Sequence, residues 1–258
     1  MAESTLSIGW SDLVTEVASF LGYNSDTDLL TSNELAAVDR AIQGGIRQFY
    51  YPAAVPGVET GHEWSFMKPN TTITTADEDG EQDLPDDFGR LTGDFNYSAD
   101  LRKPSVPLVS EHQIMALLAD DSNTGYPSLA CIRFKSSDGS DGQRQEVVWY
   151  PIPSGAYELS YSYEAFPQKL TEDNPYPLGG MKYSELVIES CLAIAEQRQN
   201  DVRGQHTERF EKLLIAAISQ DRRNGAIYYG PLSSGELSSS NERCGRASGT
   251  VSYKGETW

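Results

Sequence analysis

The amino-acid sequence predicts an α+β fold: a helical bundle with an inserted antiparallel β-rich module and an extended C-terminal arm. Three observations carry this. Residues 157–165 alternate strictly, with Tyr157, Leu159, Tyr161, Tyr163 and Ala165 set against Glu158, Ser160, Ser162 and Glu164, the period of a half-buried strand. Helical periodicity occupies residues 12–50 and returns over 180–224. After residue 225 the chain turns to Gly, Ser, Asn and scattered aromatics with no sustained period. The organisation is therefore N-terminal bundle helices over 1–56, a β-rich insertion with a short helix over 57–170, C-terminal bundle helices over 171–225, and an arm over 226–258.

Each element has a local reason. Ser11 can cap a helix over 12–22, with Leu13, Val14, Val17, Phe20 and Leu21 on one face and Gly22 as its stop. Thr31 and Glu34 form a capping-box pattern that opens a helix over 32–50, with Leu35, Val38, Ile42, Ile46 and Phe49 inward. Gly44-Gly45 weakens that helix by roughly 1 kcal/mol per glycine relative to alanine. Either a neighbouring helix packs closely there or the helix bends. Pro52 and Pro56 end it.

The next stretch reads as β-rich. Thr71–Thr75 is β-branched, and the acidic run Asp77–Glu81 reads as a solvated hairpin turn. Ser110 caps a short helix over 110–119, with Ile114, Leu117 and Leu118 as its core face. Leu129–Phe134 is a strand, and Ser136–Gly142 is a polar turn. Val147–Tyr150 and the alternating run 157–165 are expected to pair as a hairpin. The link Pro151-Ile152-Pro153-Ser154-Gly155 cannot stay in a ladder, because each proline lacks an N–H. Over 180–199 apolar residues run around most of the circumference, which predicts a helix buried on several sides. Over 205–224, Phe210, Leu213, Leu214, Ala217 and Ile218 share one face, Glu208 and Lys212 can pair on the other, and Gly225 is the stop.

Composition narrows the function. A net charge of −18 argues against a protein that grips nucleic acid, since phosphate binding needs clustered Lys and Arg. The same charge also serves plain solubility. A hydrophobic content of 38% implies a modest core with oligomer-dependent parts, and 14 tyrosines against 8 phenylalanines suit surfaces covered by a partner. Cys131, Cys191 and Cys244 have no zinc spacing, and Cys191 reads as a core thiol. No signal peptide or membrane-spanning run is evident, so the protein is expected to be made in a reducing cytoplasm or assembled there into something larger.

His62, His112 and His206 lack the flanking ligands of a metal site and read as surface or satisfied histidines. The acidic run lacks the remaining positions of a calcium loop. Phosphate-binding and nucleophile-elbow motifs are missing. The expectation is a protein that is not an enzyme, with no catalytic residue, cofactor or metal. Residues 226–258 keep Tyr228, Tyr229, Tyr253 and Trp258, and read as an arm that orders on a partner or else as a disordered tail with incidental aromatics.

Several segments in order carry a family resemblance. They are Glu63-Trp64-Ser65-Phe66 before the Thr-rich strand, Leu84-Pro85-Asp86-Asp87-Phe88-Gly89-Arg90, Trp149-Tyr150-Pro151-Ile152-Pro153 with Tyr157-Glu158-Leu159-Ser160-Tyr161, Leu170-Thr171-Glu172-Asp173-Asn174-Pro175, and the two C-terminal helices. Across roughly residues 10–224 the chain resembles the head-to-tail adaptor proteins of tailed bacteriophages, the tail tubular protein A or gatekeeper type. The resemblance implies a virion protein assembled in the host cytoplasm as a homo-oligomeric ring of about twelve copies, a closed cyclic arrangement. The ring would sit between the portal protein and a tail or nozzle protein, and DNA would pass through it without being gripped. No membrane is involved. A C-terminal arm clasping the portal or a neighbour belongs to that picture, with Tyr228, Tyr229, Tyr253 and Trp258 as its interface residues. The stretch after Gly230 is longer than a minimal adaptor needs. The alternative is a tail-associated carbohydrate- or receptor-binding protein, for which Trp64, Trp149 and the tyrosines would supply aromatic platforms.

Overall fold

Both helical ends of the chain meet in one apolar core. The computed structural model describes residues 3–53, 61–120, 123–137, 142–200, 203–224, 252–253 and 256–257. Helix α1 (Trp10–Phe20) starts earlier than its apolar stripe suggests. Its N-cap is Gly9, whose N–H donates to Asp12 at 2.9 Å, so the cap is not Ser11. It ends at Leu21, and Gly22 turns the chain away at φ +79°. Helix α2 (Ser32–Tyr50) opens on the expected capping box, in which Thr31 N–H donates to the Glu34 carboxylate at 2.8 Å.

The glycine pair in α2 exists for close packing. A Cβ on Gly45 would lie 2.5 Å from the Cα of Cys191 in α4 (Ser184–Asn200), so the two backbones touch. Leu13, Val14 and Val17 of α1, Val38, Ile42, Ile46 and Phe49 of α2, and Leu186, Val187 and Cys191 of α4 share this core. Phe210, Leu214, Ala217 and Ile218 of α5 (Gln205–Asn224) complete it. Helix α4 starts later than residue 180, because Gly179 and Gly180 both hold positive φ and Met181–Tyr183 forms a 3-10 turn first. Arg209 of α5 pairs with Glu189 of α4 at 2.8 Å, whereas Glu208 and Lys212 are exposed and enter no ion pair among the described residues.

Between α2 and α4 the chain builds two small antiparallel sheets. Strand β1 (Asn70–Thr74) and β2 (Glu81–Asp83) flank the acidic turn. Next come β3 (Phe88–Leu91), β4 (Asn96–Tyr97), helix α3 (Glu111–Asp120), β5 (Thr124–Gly125), β6 (Leu129–Phe134), β7 (Gln145–Tyr150), β8 (Ile152–Pro153) and β9 (Glu158–Ala165). One sheet has the order β1-β9-β3, with β4 also on β9, and the other has the order β2-β7-β6.

This topology overturns the expected hairpin. β7 pairs with β6 and β2, and β9 pairs with β1, β3 and β4, so the two runs lie in different sheets. A strand has only two edges, and both edges of each are taken. The proline link is a crossover between sheets, in which Ile152 pairs parallel with Thr124. The acidic stretch is likewise no hairpin turn: it carries the chain from β1 in one sheet to β2 in the other. The hairpin in this region is β6–β7, with Cys131 opposite Val148.

The alternation in β9 holds. Leu159, Tyr161, Tyr163 and Ala165 are buried, while Glu158 and Ser160 are exposed. Phe95 sits between the sheets, 4.9 Å from the ring of Trp149 and 5.0 Å from that of Tyr161. β7 does not alternate, because Val147 and Trp149 face this core while Val148 lies under α3 with Ile114 and Cys131. Residues Met1–Arg222 form one compact unit and Arg223–Trp258 a second. In the second, β10 (Ser252–Tyr253) pairs antiparallel with β11 (Glu256–Thr257).

Candidate interaction surfaces

The last turns of α5 are anchored by one carboxylate. Asp221 is buried, and it accepts the Ser65 N–H at 3.0 Å, the Ser65 hydroxyl at 2.6 Å and a hydrogen bond from His62 Nε2 at 3.0 Å. The Tyr183 hydroxyl approaches its other oxygen at 3.4 Å. Burial acts to raise the Asp221 pKa, but the two Ser65 hydrogen bonds and His62 outweigh it and hold the carboxyl below its ordinary value. Ser65 donates to the aspartate and not to the histidine, so the trio has no nucleophile-to-base hydrogen bond. It is a clasp that ties residues 62–65 to α5.

Another buried carboxylate, Glu189 of α4, accepts from His206 Nδ1 at 2.9 Å and from Arg209 at 2.8 Å. Both His62 and His206 are thus satisfied by a carboxylate, and the edge of Phe20 closes on the His206 ring at 5.2 Å. His112 is exposed at the start of α3. Among the described residues no three His, Cys, Asp or Glu side chains gather to hold a metal ion. Burial pushes the Cys191 thiol up to about 12 and raises that of Cys131, so neither is a reactive thiolate. Among the described residues no helix is long and apolar enough to cross a membrane.

The surface is more informative than the interior. Tyr51, Phe166, Tyr176 and Leu178 are 48%, 51%, 45% and 42% exposed. They gather where the end of α2 meets the link from β9 to α4. That link is held in place: Gln43 Nε2 donates to the Leu170 carbonyl at 2.8 Å, and the Tyr50 hydroxyl accepts the Leu178 N–H at 2.6 Å. Burial pushes the Tyr50 phenol up to about 12, which keeps it neutral. Beside it a groove of about 990 Å³ runs along α2, lined by Arg40, Ile46, Arg47, Tyr51, Phe166 and Ile194. Among the described residues the ion pairs reach Lys169, Arg203 and Arg209, but none includes Arg40, Arg47 or Arg198.

Of the interface residues expected in the arm, Tyr228, Tyr229 and Trp258 lie outside the described residues, as do Gly225 and Cys244. Tyr253 lies in β10, opposite Glu256. Trp64 and Trp149, the aromatic platforms of the carbohydrate alternative, are both fully buried. Trp64 sits in the helical core, its indole N–H donating to the Phe49 carbonyl at 3.0 Å. Sequence reasoning missed the Asp221 clasp and the arginine-lined groove. Arg40 and Arg47 stand seven residues apart on one helix face, a visible signal, but only the fold brings Arg198 beside them, over Gly44.

The model of a family described as SU10 adaptor protein matches residues 8–235, which spans both helical segments and the β module. No curated protein matches the chain.

Proposed function

Because this chain belongs to the SU10 adaptor protein family, a family of phage structural adaptors, we propose that it is a ring subunit of the virion that joins the portal to the tail. In this reading about twelve copies close into a ring by cyclic symmetry. The ring forms part of the channel through which DNA passes, assembles in the host cytoplasm, and acts by binding and sealing, without turnover.

The observation that carries the reading is the exposed aromatic patch of Tyr51, Phe166 and Tyr176 with Leu178. Large apolar side chains grouped on a surface mark a protein–protein contact, and aromatics are enriched at the centre of such contacts. A net charge of −18 supports a channel wall that repels phosphate. The carbohydrate alternative loses support, because Trp64 and Trp149 are inside the protein.

Electron microscopy and native mass spectrometry test the proposal, on the chain by itself at high concentration and with the portal protein of the same phage. The expected result is a closed hollow ring of about a dozen copies. Only monomers in the presence of the portal would overturn it.

A further inference from the structure

Arg40 and Arg47 line the α2 groove, and Arg198 stands beside it in an adjoining pocket that it shares with Arg40. Arg40, Gly44 and Arg47 fall at i, i+4 and i+7, so they line one stripe of α2. Arg198 reaches across from α4 onto that stripe: a Cβ on Gly44 would meet its Nη2 at 3.3 Å and Ile194 Cγ2 at 3.0 Å. All three arginines are exposed. Among the described residues none of the three enters an ion pair, in a chain with 38 acidic against 20 basic residues, and the one carboxylate that lines the groove, Asp39, is paired with Lys169. The groove floor is apolar at Ile46 and Ile194 and leads into the aromatic patch. Gln48 also lines it, and its side-chain Oε1 is buried and without a partner among the described residues.

We infer that this groove receives the acidic turn Asp77-Glu78-Asp79 of a second copy of the chain. The turn has the complementary chemistry. Its three carboxylates are exposed and enter no ion pair among the described residues. The turn is also held in shape. Glu78 adopts φ +59°, its N–H donates to the Pro153 carbonyl at 2.9 Å, and Asp79 accepts the Glu81 N–H at 3.1 Å. A groove on one copy that fits a different patch on the next is a heterologous contact, the kind that generates rings. The inference rests on the ring reading and names its docking residues.

Charge reversal in the full-length chain tests it. R47E/R198E and D77K/E78K are each expected to raise the concentration for half-assembly by about tenfold or more, the scale of close interfacial charge pairs. The variant carrying all four substitutions is expected to recover assembly, and melting curves of each variant report that the fold is kept. Sedimentation velocity and native mass spectrometry read the oligomer, with and without the portal protein. If the wild-type chain forms no oligomer in either setting, the ring reading fails and this pairing with it. If wild type assembles and R47E/R198E assembles as readily, the ring stands and the pairing alone is overturned. Rings of R47E/R198E that form normally but lose portal binding would assign the arginines to that partner instead, and would also overturn it. Failure of the four-substitution variant to recover while both halves remain folded would do the same.

Discussion

Single residues in this protein are constrained by which way they point and by how little room they have. Tyr161 is buried between the two sheets, whereas Ser160, its neighbour on β9, is exposed. Tyr161→Asp would place a charge in an apolar core and is expected to cost several kcal/mol, on the order of 3 or more. Ser160→Asp should change stability by less than about 0.5 kcal/mol. Equal melting temperatures for the two would contradict the assigned face of β9. Gly45 gives a second test, because its missing Cβ would lie 2.5 Å from the Cys191 Cα and 2.6 Å from the Cys191 nitrogen. Alanine there improves helix propensity by about 1 kcal/mol at most, but it must push two backbones apart, at about 1–3 kcal/mol or more. Gly45→Ala should therefore lower the melting temperature, whereas Gly93→Ala, with nothing within 4 Å of its added Cβ, should not. A Gly45→Ala protein as stable as wild type would mean that α2 and α4 are less tightly packed than a 2.5 Å approach requires.

At the scale of elements, the Asp221 clasp makes a pH-dependent link between α5 and residues 62–65. Its carboxyl titrates below its ordinary value of 3.8 in the folded state. A depressed folded pKa means that the unfolded chain takes up the proton first. The stabilisation is therefore complete above the unfolded pKa and is lost as pH falls through the folded one. Asp221→Asn should cost roughly 1–3 kcal/mol near neutrality, the range for weakening a buried charge-assisted cluster. The wild-type advantage should shrink once pH drops below about 4. Denaturant titrations of both proteins from neutral to acid pH measure this, and an advantage that stays constant through the acid range would exclude the clasp. This element scale also separates what was legible from what was not. The bounds of α2, α5 and β6 are written locally, in the Thr31–Glu34 cap, in the stripe from Phe210 to Ile218, and in a short β run. The pairing of β7 and β9 is not local. Their adjacency in sequence suggests a hairpin, but partners brought from residues 70–97 and 129–134 occupy their edges, and no period of two can name a partner. Asp221 was illegible for the same reason, since its donors lie some 156 residues away at Ser65. Arg198 over Gly44 likewise needed the fold.

At the scale of the whole molecule, charge and division into units set the expectations. With a net charge of −18, the full-length chain should bind duplex DNA negligibly at physiological salt, and micromolar affinity with a steep salt slope would contradict a non-gripping channel. The remaining question is what the last residues contribute. The first compact unit closes at Arg222, and among the described residues its core runs to Ile218, with the Asp221 clasp just beyond. The family match nevertheless runs to residue 235, past the end of α5, so part of what defines an adaptor of this kind lies beyond the helical core. Tyr228, Tyr229, Tyr253 and Trp258 supply aromatic area that could anchor on a partner, and the Gly- and Ser-rich sequence between them supplies reach. Removing residues 226–258 should therefore leave the melting transition of the remainder within a few degrees of wild type, because the core described for the first unit is built from residues up to Ile218. The same truncation should weaken attachment to the portal by about tenfold or more, since each buried aromatic anchor contributes 2 kcal/mol or so to an interface. Pull-down of the full-length and truncated chains on immobilised portal protein, paired with their melting curves, separates the two effects. Equal retention of both forms would make residues 226–258 a tail with no clasping role, and would leave portal attachment to the aromatic patch around Phe166.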